Sequence, residues 1–309
     1  MRKRVVVVGS VNLDLVCSVE RIPRPGETLS GNRFDMFHGG KGANQAVAVA
    51  RLGHPVSMIG KVGDDEFGAR LLRGLKSAGV NTRAISNARG TSSGVALIST
   101  DRQGQNSIVV IPGANGKLMP KDLEKAAPII RSAGIILTQL EIPLETVECL
   151  AALARRYGVP LMLDPAPARE LSARLLRQVA ILTPNETEAA TLCGVPNKEL
   201  SASTAPRFAR RLLGKGARSV ILKMGSQGAY VAANPGESFL PAFKVKAVDS
   251  TAAGDAFNGG LAVALMQGQD LLAAARFGSA VAALSVTRLG AQPSMPTGRA
   301  VRRLLAAPS

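Results

Sequence analysis

The segment DSTAAGDAFNGG (residues 249–260) carries one carboxylate, Asp255, where a helix is expected to begin, among residues too small to cover it. A carboxylate in that place can simply cap the helix and meet its dipole. The preceding TAAG, however, supplies consecutive backbone N–H groups under minimal side chains, which suits the negative charge of a transferring phosphate. A carboxylate beside such a turn can accept the proton of an attacking hydroxyl. An anion hole with a base is the equipment for phosphoryl transfer to an alcohol.

Other segments could serve that chemistry. GGKGANQ (residues 39–45) lets a backbone approach a ligand closely and opens a helix whose N–H groups are free, with Lys41 and Asn44 as added donors. It has neither the spacing of a Walker A loop nor that of GxGxxG. Two glycines, a lysine and a third glycine exceed what a turn needs, which favours binding. GSVNLD puts Asn12 and Asp14 on one face of a strand, able to meet the hydroxyls of a polyol; a solvated edge-strand face explains the pair equally well. TQLEIP puts Glu141 at the end of an apolar strand, where a charge must be solvated or used. In TPNETEAA, capping and dipole stabilisation account for Glu186 and Glu188 without function, although Asn185 and Glu188 could also hold a phosphate and a hydrated Mg2+.

The elements that must position these residues follow from periodicity. RVVVVGS reads as a buried first strand. Two alternating segments joined by RIPRPGETLSG come next, read as part of a small sheet standing off the main body. From Lys41 onward strands and helices alternate: a helix in GANQAVAVARLG, a strand in PVSMIGKVG, and an amphipathic helix in DEFGARLLRGLKSAG. TSSGVALIST and NSIVVIPGAN read as two strands. AGIILTQLE, VPLMLDPAP and VAILTPN read as strands, the first and last followed by helices, SVILKMGSQGAYVAA as a hairpin, and FKVKAV (residues 243–248) as a strand before Asp249. This succession predicts a doubly wound α/β fold with a mostly parallel central sheet, whose ligands bind at the carboxyl ends of its strands. A single unit over residues 1–309 is expected, with lid strands near 12–37 and 91–111.

Composition bounds the function. The chain has 309 residues, no Trp and 3% aromatics, so the core must be aliphatic. The net charge of +16 raises nucleic acid as a partner, but the basic residues are scattered beyond RKR at residues 2–4 and no aromatics are interleaved with them. A solvated basic surface that favours anionic small substrates is the preferred reading, with a basic nucleic-acid-binding α/β protein as the non-enzyme alternative. Cys17, Cys149 and Cys193 form no CxxC pair and no metal pattern, and reduced thiols are expected. The apolar run after MRKR is too short for a signal peptide, and none approaches the roughly 20 residues of a membrane span. A cytoplasmic protein is expected, with neither membrane nor nucleic acid as partner.

Nearly end to end, the chain resembles the ribokinase-like family of sugar kinases. The segments that carry the resemblance are GSVNLD, PRPGET, GGKGANQA, SGVAL, PGAN, QLE, DPAPAREL, TPNETEA, GSQG, VDSTAAGDAFNG and VTRLGAQPSMP. GGKGANQ with NLD, PGAN and GAQPS points within that family to its ribose kinases rather than to fructokinases or adenosine kinases.

The resemblance implies a ribokinase-like fold with a small β-sheet lid, and ATP-dependent phosphorylation of D-ribose at its 5-hydroxyl. Asn12, Asp14, Gly40, Lys41, Asn44 and Glu141 would hold the sugar, Asp255 would be the base, and Ala252, Ala253 and Gly254 would form the anion hole. Asn185, Lys223, Gly225, Ser226, Gly228 and Ser279 would line the ATP site, with Asn185 and Glu188 near Mg2+ and phosphate. Asp249, Thr251, Ser285, Arg288, Gly290 and Ser294 would surround an activating K+, largely through carbonyls, and the lid would pair two subunits into a homodimer. Lys223 stands where Thr is usual in the family and Ser279 where His or Asn is common, departures that bear on the nucleotide. A kinase for 2-deoxyribose or a nucleoside is the alternative, since the substrates differ by one hydroxyl or one base.

Overall fold

The valines of RVVVV leave no position for solvent, and in the computed structural model they form β1 (Arg4–Val8), buried on both faces. Val5 and Val7 join the apolar cluster on one side of a sheet, Val6 and Val8 that on the other, as a period of two requires. The structure describes residues 3–195, 200–233 and 236–307; the first arginine of the basic RKR run and both ends of the expected 1–309 unit lie outside them.

The remaining strands are β2 (Asn12–Ser18), β3 (Arg33–Gly39), β4 (Val56–Gly63), β5 (Asn81–Ala88), β6 (Gly94–Thr100) and β7 (Asn106–Ile111). They continue with β8 (Ala133–Thr138), β9 (Leu161–Leu163), β10 (Ile181–Leu182), β11 (Ser219–Lys223), β12 (Ala229–Ala233) and β13 (Glu237–Leu240). The main sheet has the order β13-β12-β11-β10-β9-β8-β1-β4-β5. Every pairing from β11 to β5 is parallel, while β12 and β13 add an antiparallel edge. Helices Lys41–Arg51, Ala253–Met266 and Leu271–Ser285 cover the Val5 face, and helices Leu144–Tyr157, Glu186–Cys193 and Ala205–Gly214 cover the Val6 face. This is the doubly wound α/β fold with a mostly parallel central sheet expected from the strand–helix succession.

After β1 the chain builds β4 and β5 on one side and later β8 to β11 on the other. The reversal opens a crevice at the carboxyl ends of β1 and β8, the place where such sheets bind ligands.

The segments expected to stand off this sheet pair with one another in a second, four-stranded sheet of order β3-β2-β6-β7. Within it β2 runs antiparallel to β3 and parallel to β6, and β6 runs antiparallel to β7. Burial falls away from the main body: Asn12 and Leu13 are buried, the rest of β2 is half-buried, and all of β7 is exposed.

The expected strand FKVKAV does not form. Residues 243–248 join no sheet, and Lys244, Lys246 and Val248 are exposed. Alternation alone does not make a strand: a ladder needs a neighbouring strand as partner, and this segment pairs with none. The segment is instead tied at its end, where Val248 N and Asp249 N both donate to Val286 O, at 2.7 and 3.1 Å. Conversely β5 and β13, both edge strands, are too polar for periodicity to find them. Among the described residues no helix is long and apolar enough to cross a membrane, and the three cysteines are free.

Candidate active site

The crevice between β1 and β8 is bridged by side chains. Ser10, just past β1, donates its hydroxyl to Glu141 Oε2 at 2.5 Å, and the same oxygen accepts the backbone N–H of Lys41 at 3.1 Å. Glu141 therefore holds the start of helix Lys41–Arg51 against the switch point. Gly40 precedes that helix at φ 85°, and any side chain on it would meet the backbone of residues 10–12. The GGKG spacing thus reflects a close approach of two backbones, which only glycine permits.

On the lid side, Asn12 Oδ1 accepts from Asn115 Nδ2 at 2.6 Å, and Asn115 also takes Val11 N at 2.8 Å through its own Oδ1. Asp14 packs over Gly39, where a side chain would collide with its carboxylate. Burial first, then Glu141 and Asp255, push the Asp14 carboxyl up to about 6.

Asp255 is not a cap. The N-cap of helix Ala253–Met266 is Ala252, in the left-handed region at φ 58°, and no side chain caps this terminus. The Asp255 carboxylate, 4% exposed, crosses to helix Lys41–Arg51 instead. There Oδ2 accepts from Asn44 Nδ2 and Oδ1 from Gln45 Nε2, each at 3.0 Å. Both amides are fixed from behind: Gln292 Nε2 donates to Asn44 Oδ1 at 3.3 Å and Gln139 Nε2 to Gln45 Oε1 at 2.6 Å. Burial raises the Asp255 carboxyl, Lys41 opposes this, Asp164 adds to it, and the net result is about 6. Burial disfavours the Lys41 ammonium, yet Asp255, Asp164, Glu141 and Glu188 together hold it above the usual lysine range.

A left-handed alanine costs about 1–2 kcal/mol, so the Ala252 turn is strained. Ala253 N–H is turned back to Ser250 O at 3.2 Å, whereas Gly254 and Asp255 occupy first-turn positions that have no acceptor within the helix. Of the expected anion-hole residues, Gly254 is thus the best placed.

Asn185 and Glu188 form the reciprocal capping box that explains them structurally, with Asn185 N–H to Glu188 Oε2 at 2.8 Å and Glu188 N–H to Asn185 Oδ1 at 2.9 Å. Burial raises the Glu188 carboxyl, Lys223 offsets part of this, and Asp164 adds to it. Lys223 closes β11 beside Asn185, and Gly225, Ser226 and Gly228 lie in the turn to β12. Gly278 packs against Phe257, so the next residue, Ser279, stands near the N-terminal end of helix Ala253–Met266. Asp249 accepts Thr251 N–H and Gly290 N–H, both at 2.8 Å, drawing those segments together. Burial raises the Asp249 carboxyl, but these bonds outweigh it and hold it below the usual range. Arg288 N–H returns to Ser285 O at 3.2 Å, and the Ser285 and Ser294 hydroxyls return to carbonyls of their own helices at 2.8 Å, so none of these groups points to a ligand by itself.

Asp164 was not singled out by its sequence, and it is central. Its carboxylate, 3% exposed, accepts Gln45 Nε2 at 3.1 Å and Lys223 Nζ at 2.8 Å. Ser10, Gln45, Asn115, Gln139 and Gln292 were likewise missed. Each lies inside or beside a motif quoted above; the available signal was a polar residue directly after an apolar strand or at a helix start.

A mostly parallel sheet whose switch point gathers a buried carboxylate, a lysine and an open helix N-terminus defines an α/β kinase acting on an alcohol. The chain belongs to the pfkB family carbohydrate kinases, whose profile matches residues 2–298. It is 41% identical over 297 residues to a ribokinase of Haemophilus influenzae, covering 96% of each chain. It is also 41% identical over 294 residues to a deoxyribokinase of Salmonella typhi, covering 95% of each. Arabidopsis thaliana ribokinase, solved in complex with ribose and ATP, superposes with a TM-score of 0.94 at 33% identity over 100% of both chains. The protein is therefore a sugar kinase, and ATP-dependent kinases of this family use ATP with Mg2+.

Proposed function

We propose that this enzyme transfers the γ-phosphoryl group of ATP to the 5-hydroxyl of D-ribose, giving D-ribose 5-phosphate and ADP. The observation that carries the reading is the Asp255 carboxylate, which leaves its own helix uncapped and is held by Asn44 and Gln45 at the switch point. In this reading Asn12, Asp14, Gly40, Lys41, Asn44 and Glu141 hold the sugar hydroxyls. Asp255 takes the proton of the 5-hydroxyl while that oxygen bonds to phosphorus. The bond from phosphorus to the bridging oxygen breaks, and its electron pair leaves with ADP. Gly254, after Ala252 and Ala253, offers its backbone N–H to the transferring phosphoryl, and Lys41 offsets its charge from the sugar side. Asn185, Lys223, Gly225, Ser226, Gly228 and Ser279 line the nucleotide.

Among the described residues no group of three or more His, Cys, Asp or Glu could ligate a metal ion. This fits a Mg2+ carried by nucleotide phosphates and water, with Asn185 and Glu188 near it and the latter acting indirectly. Such an ion would neutralise charge on the nucleotide phosphates. For K+, the candidate shell is Asp249, Thr251, Ser285, Arg288, Gly290 and Ser294, donating mainly carbonyls. Asp249 holds Gly290, and two residues on Gln292 holds Asn44, so the cation would act on the base through that segment.

The second sheet would close over the sugar and pair two subunits. Its outer positions are apolar: Phe34, Leu97, Ile108, Val109 and Val110 are each at least 46% exposed. Sedimentation of a Val109→Asp variant tests this; an unchanged molecular mass rules out pairing through this face. Free thiols suit the reducing cytoplasm, where we place the enzyme.

The deoxyribokinase relative, as close in sequence as the ribokinase, supports 2-deoxyribose as a second reading. A panel of pentoses and nucleosides with ATP and Mg2+, followed by ADP release, tests both. Ribose should give the highest kcat/KM; preference for 2-deoxyribose or a nucleoside overturns the first reading.

A further inference from the structure

Lys223 is held where several features of the nucleotide side meet. Its Nζ donates to Asp164 Oδ1 at 2.8 Å, and the pair is nearly buried, with side-chain exposures of 12% and 4%. The same nitrogen lies 3.3 Å from the place where a side-chain carbon on Gly254 would stand. Its backbone bridges to Asn185, the cap of helix Glu186–Cys193, and its N–H donates to Pro184 O at 2.8 Å. The ammonium therefore stands between the N-termini of two helices, Glu186–Cys193 and Ala253–Met266.

That placement gathers positive charge, which Asp164 and Glu188 offset only in part. Each helix N-terminus carries the equivalent of about half a positive charge, and Lys223 adds a full one. Asp164 offsets part of it but is shared, since its other oxygen accepts Gln45 Nε2 at 3.1 Å. An ammonium has three donors, and Asp164 uses one. The Gly254 turn leaves room beside the others because it carries no side chain.

We propose that Lys223 is a further catalytic residue, gripping the γ-phosphoryl oxygens of the nucleotide at the Gly254 turn, with Asp164 as the residue that positions it. This rests on the kinase reading above and adds to it a second cation. Lys41 meets the transferring group from the sugar side and Lys223 from the nucleotide side. Charge in the transition state spreads over the three equatorial oxygens of that group, so two fixed ammonium groups stabilise it more than the helix terminus alone.

The test compares ATP with ADP, because only ATP carries the gripped group. In Lys223→Met, ATP affinity measured by calorimetry in Mg2+ should fall about 10-fold or more, while ADP and ribose affinities stay unchanged. Turnover should fall about 10²–10³-fold. Lys223→Arg, which keeps the charge, should retain the preference for ATP over ADP. The double variant Asp164→Asn, Lys223→Met leaves no unpaired buried carboxylate, so it keeps the test valid if Lys223→Met does not fold. If Lys223 grips phosphate, the double variant still lacks the ATP preference and remains slow. Equal losses for ATP and ADP, an unchanged ATP affinity, or recovery of turnover in the double variant overturns the proposal by reducing Lys223 to a counter-ion of Asp164. A wild-type protein that phosphorylates no sugar with ATP overturns the kinase reading itself, and this proposal with it.

Discussion

Asn44 Nδ2 lies 3.0 Å from Asp255 Oδ2, joining residues 211 positions apart. The bond ties the first helix after the glycine-rich segment to the first turn of helix Ala253–Met266. It turns the Asp255 carboxylate away from its own helix terminus, leaving the Gly254 turn open to an anion.

Asp255→Asn separates base from scaffold. Because Asp255 caps nothing and its buried charge opposes folding, the variant should fold, with a melting temperature at pH 8 at or above that of the wild type. Turnover at saturating ribose and ATP should fall about 10²–10⁴-fold, the usual scale for a positioned base, while ribose affinity changes far less. A stable variant with wild-type turnover would remove Asp255 from the mechanism.

The raised carboxyls set the pH dependence. Asp255 and Asp14 both lie at about 6 in the folded enzyme; Asp255 must be ionised to take the hydroxyl proton, and Asp14 to accept hydrogen bonds from the sugar with both oxygens. The kcat/KM profile, which reports the free enzyme, should therefore drop as pH falls through about 6. A profile flat down to pH 5 would contradict this.

The same shift has a stability consequence of definite sign. A carboxyl raised from 3.8 to about 6 binds its proton more tightly in the folded state. Folding is thus penalised as pH rises from about 4 to about 6, by on the order of 3 kcal/mol when fully ionised. Wild type measured against Asp255→Asn should gain relative stability on acidification through that window. Parallel melting curves across it would show that the carboxylate is not buried in solution.

Gln45→Leu removes the amide that lies between Asp164 and Asp255. Two buried carboxylates then lose a shared donor, and stability should fall by about 1–3 kcal/mol. Urea unfolding at pH 8 measures it, and an unchanged midpoint would refute the bridging role.

Potassium should matter through Asp249. Replacing K+ by Na+, after removal of contaminating K+, should lower turnover, and Asp249→Ala should abolish the difference. Equal wild-type rates in the two salts would count against the site.

Much of the architecture was legible in the residue pattern. Continuous valines fixed β1 as a doubly buried strand, and glycines at residues 53 and 79 marked the ends of helices Lys41–Arg51 and Glu66–Ser77. The segments that could do chemistry, around Asn12, Lys41, Glu141 and Asp255, were visible because polar residues after apolar strands, or amid glycines, need a reason. Local pattern could not settle what each side chain meets. TPNETE reads as a capping box and forms one, since its bonds span three residues. Asp255 could have been a cap on local pattern and is not one, since its partners arrive from about 210 positions away. FKVKAV alternates like a strand and stays unpaired, because a ladder needs a partner strand lying alongside, which no local pattern reports. Asp164 looked like the end of one more strand until the parallel order of β9, β10 and β11 brought Lys223 beside it. By itself the sequence determined periodicity, helix ends and the chemical types in the crevice, which are properties of neighbouring residues. The tertiary structure alone decided the switch point, the raised carboxyls and the pairing of Lys223 with Asp164, because burial and charge depend on groups distant in the chain that only the packed sheet brings together.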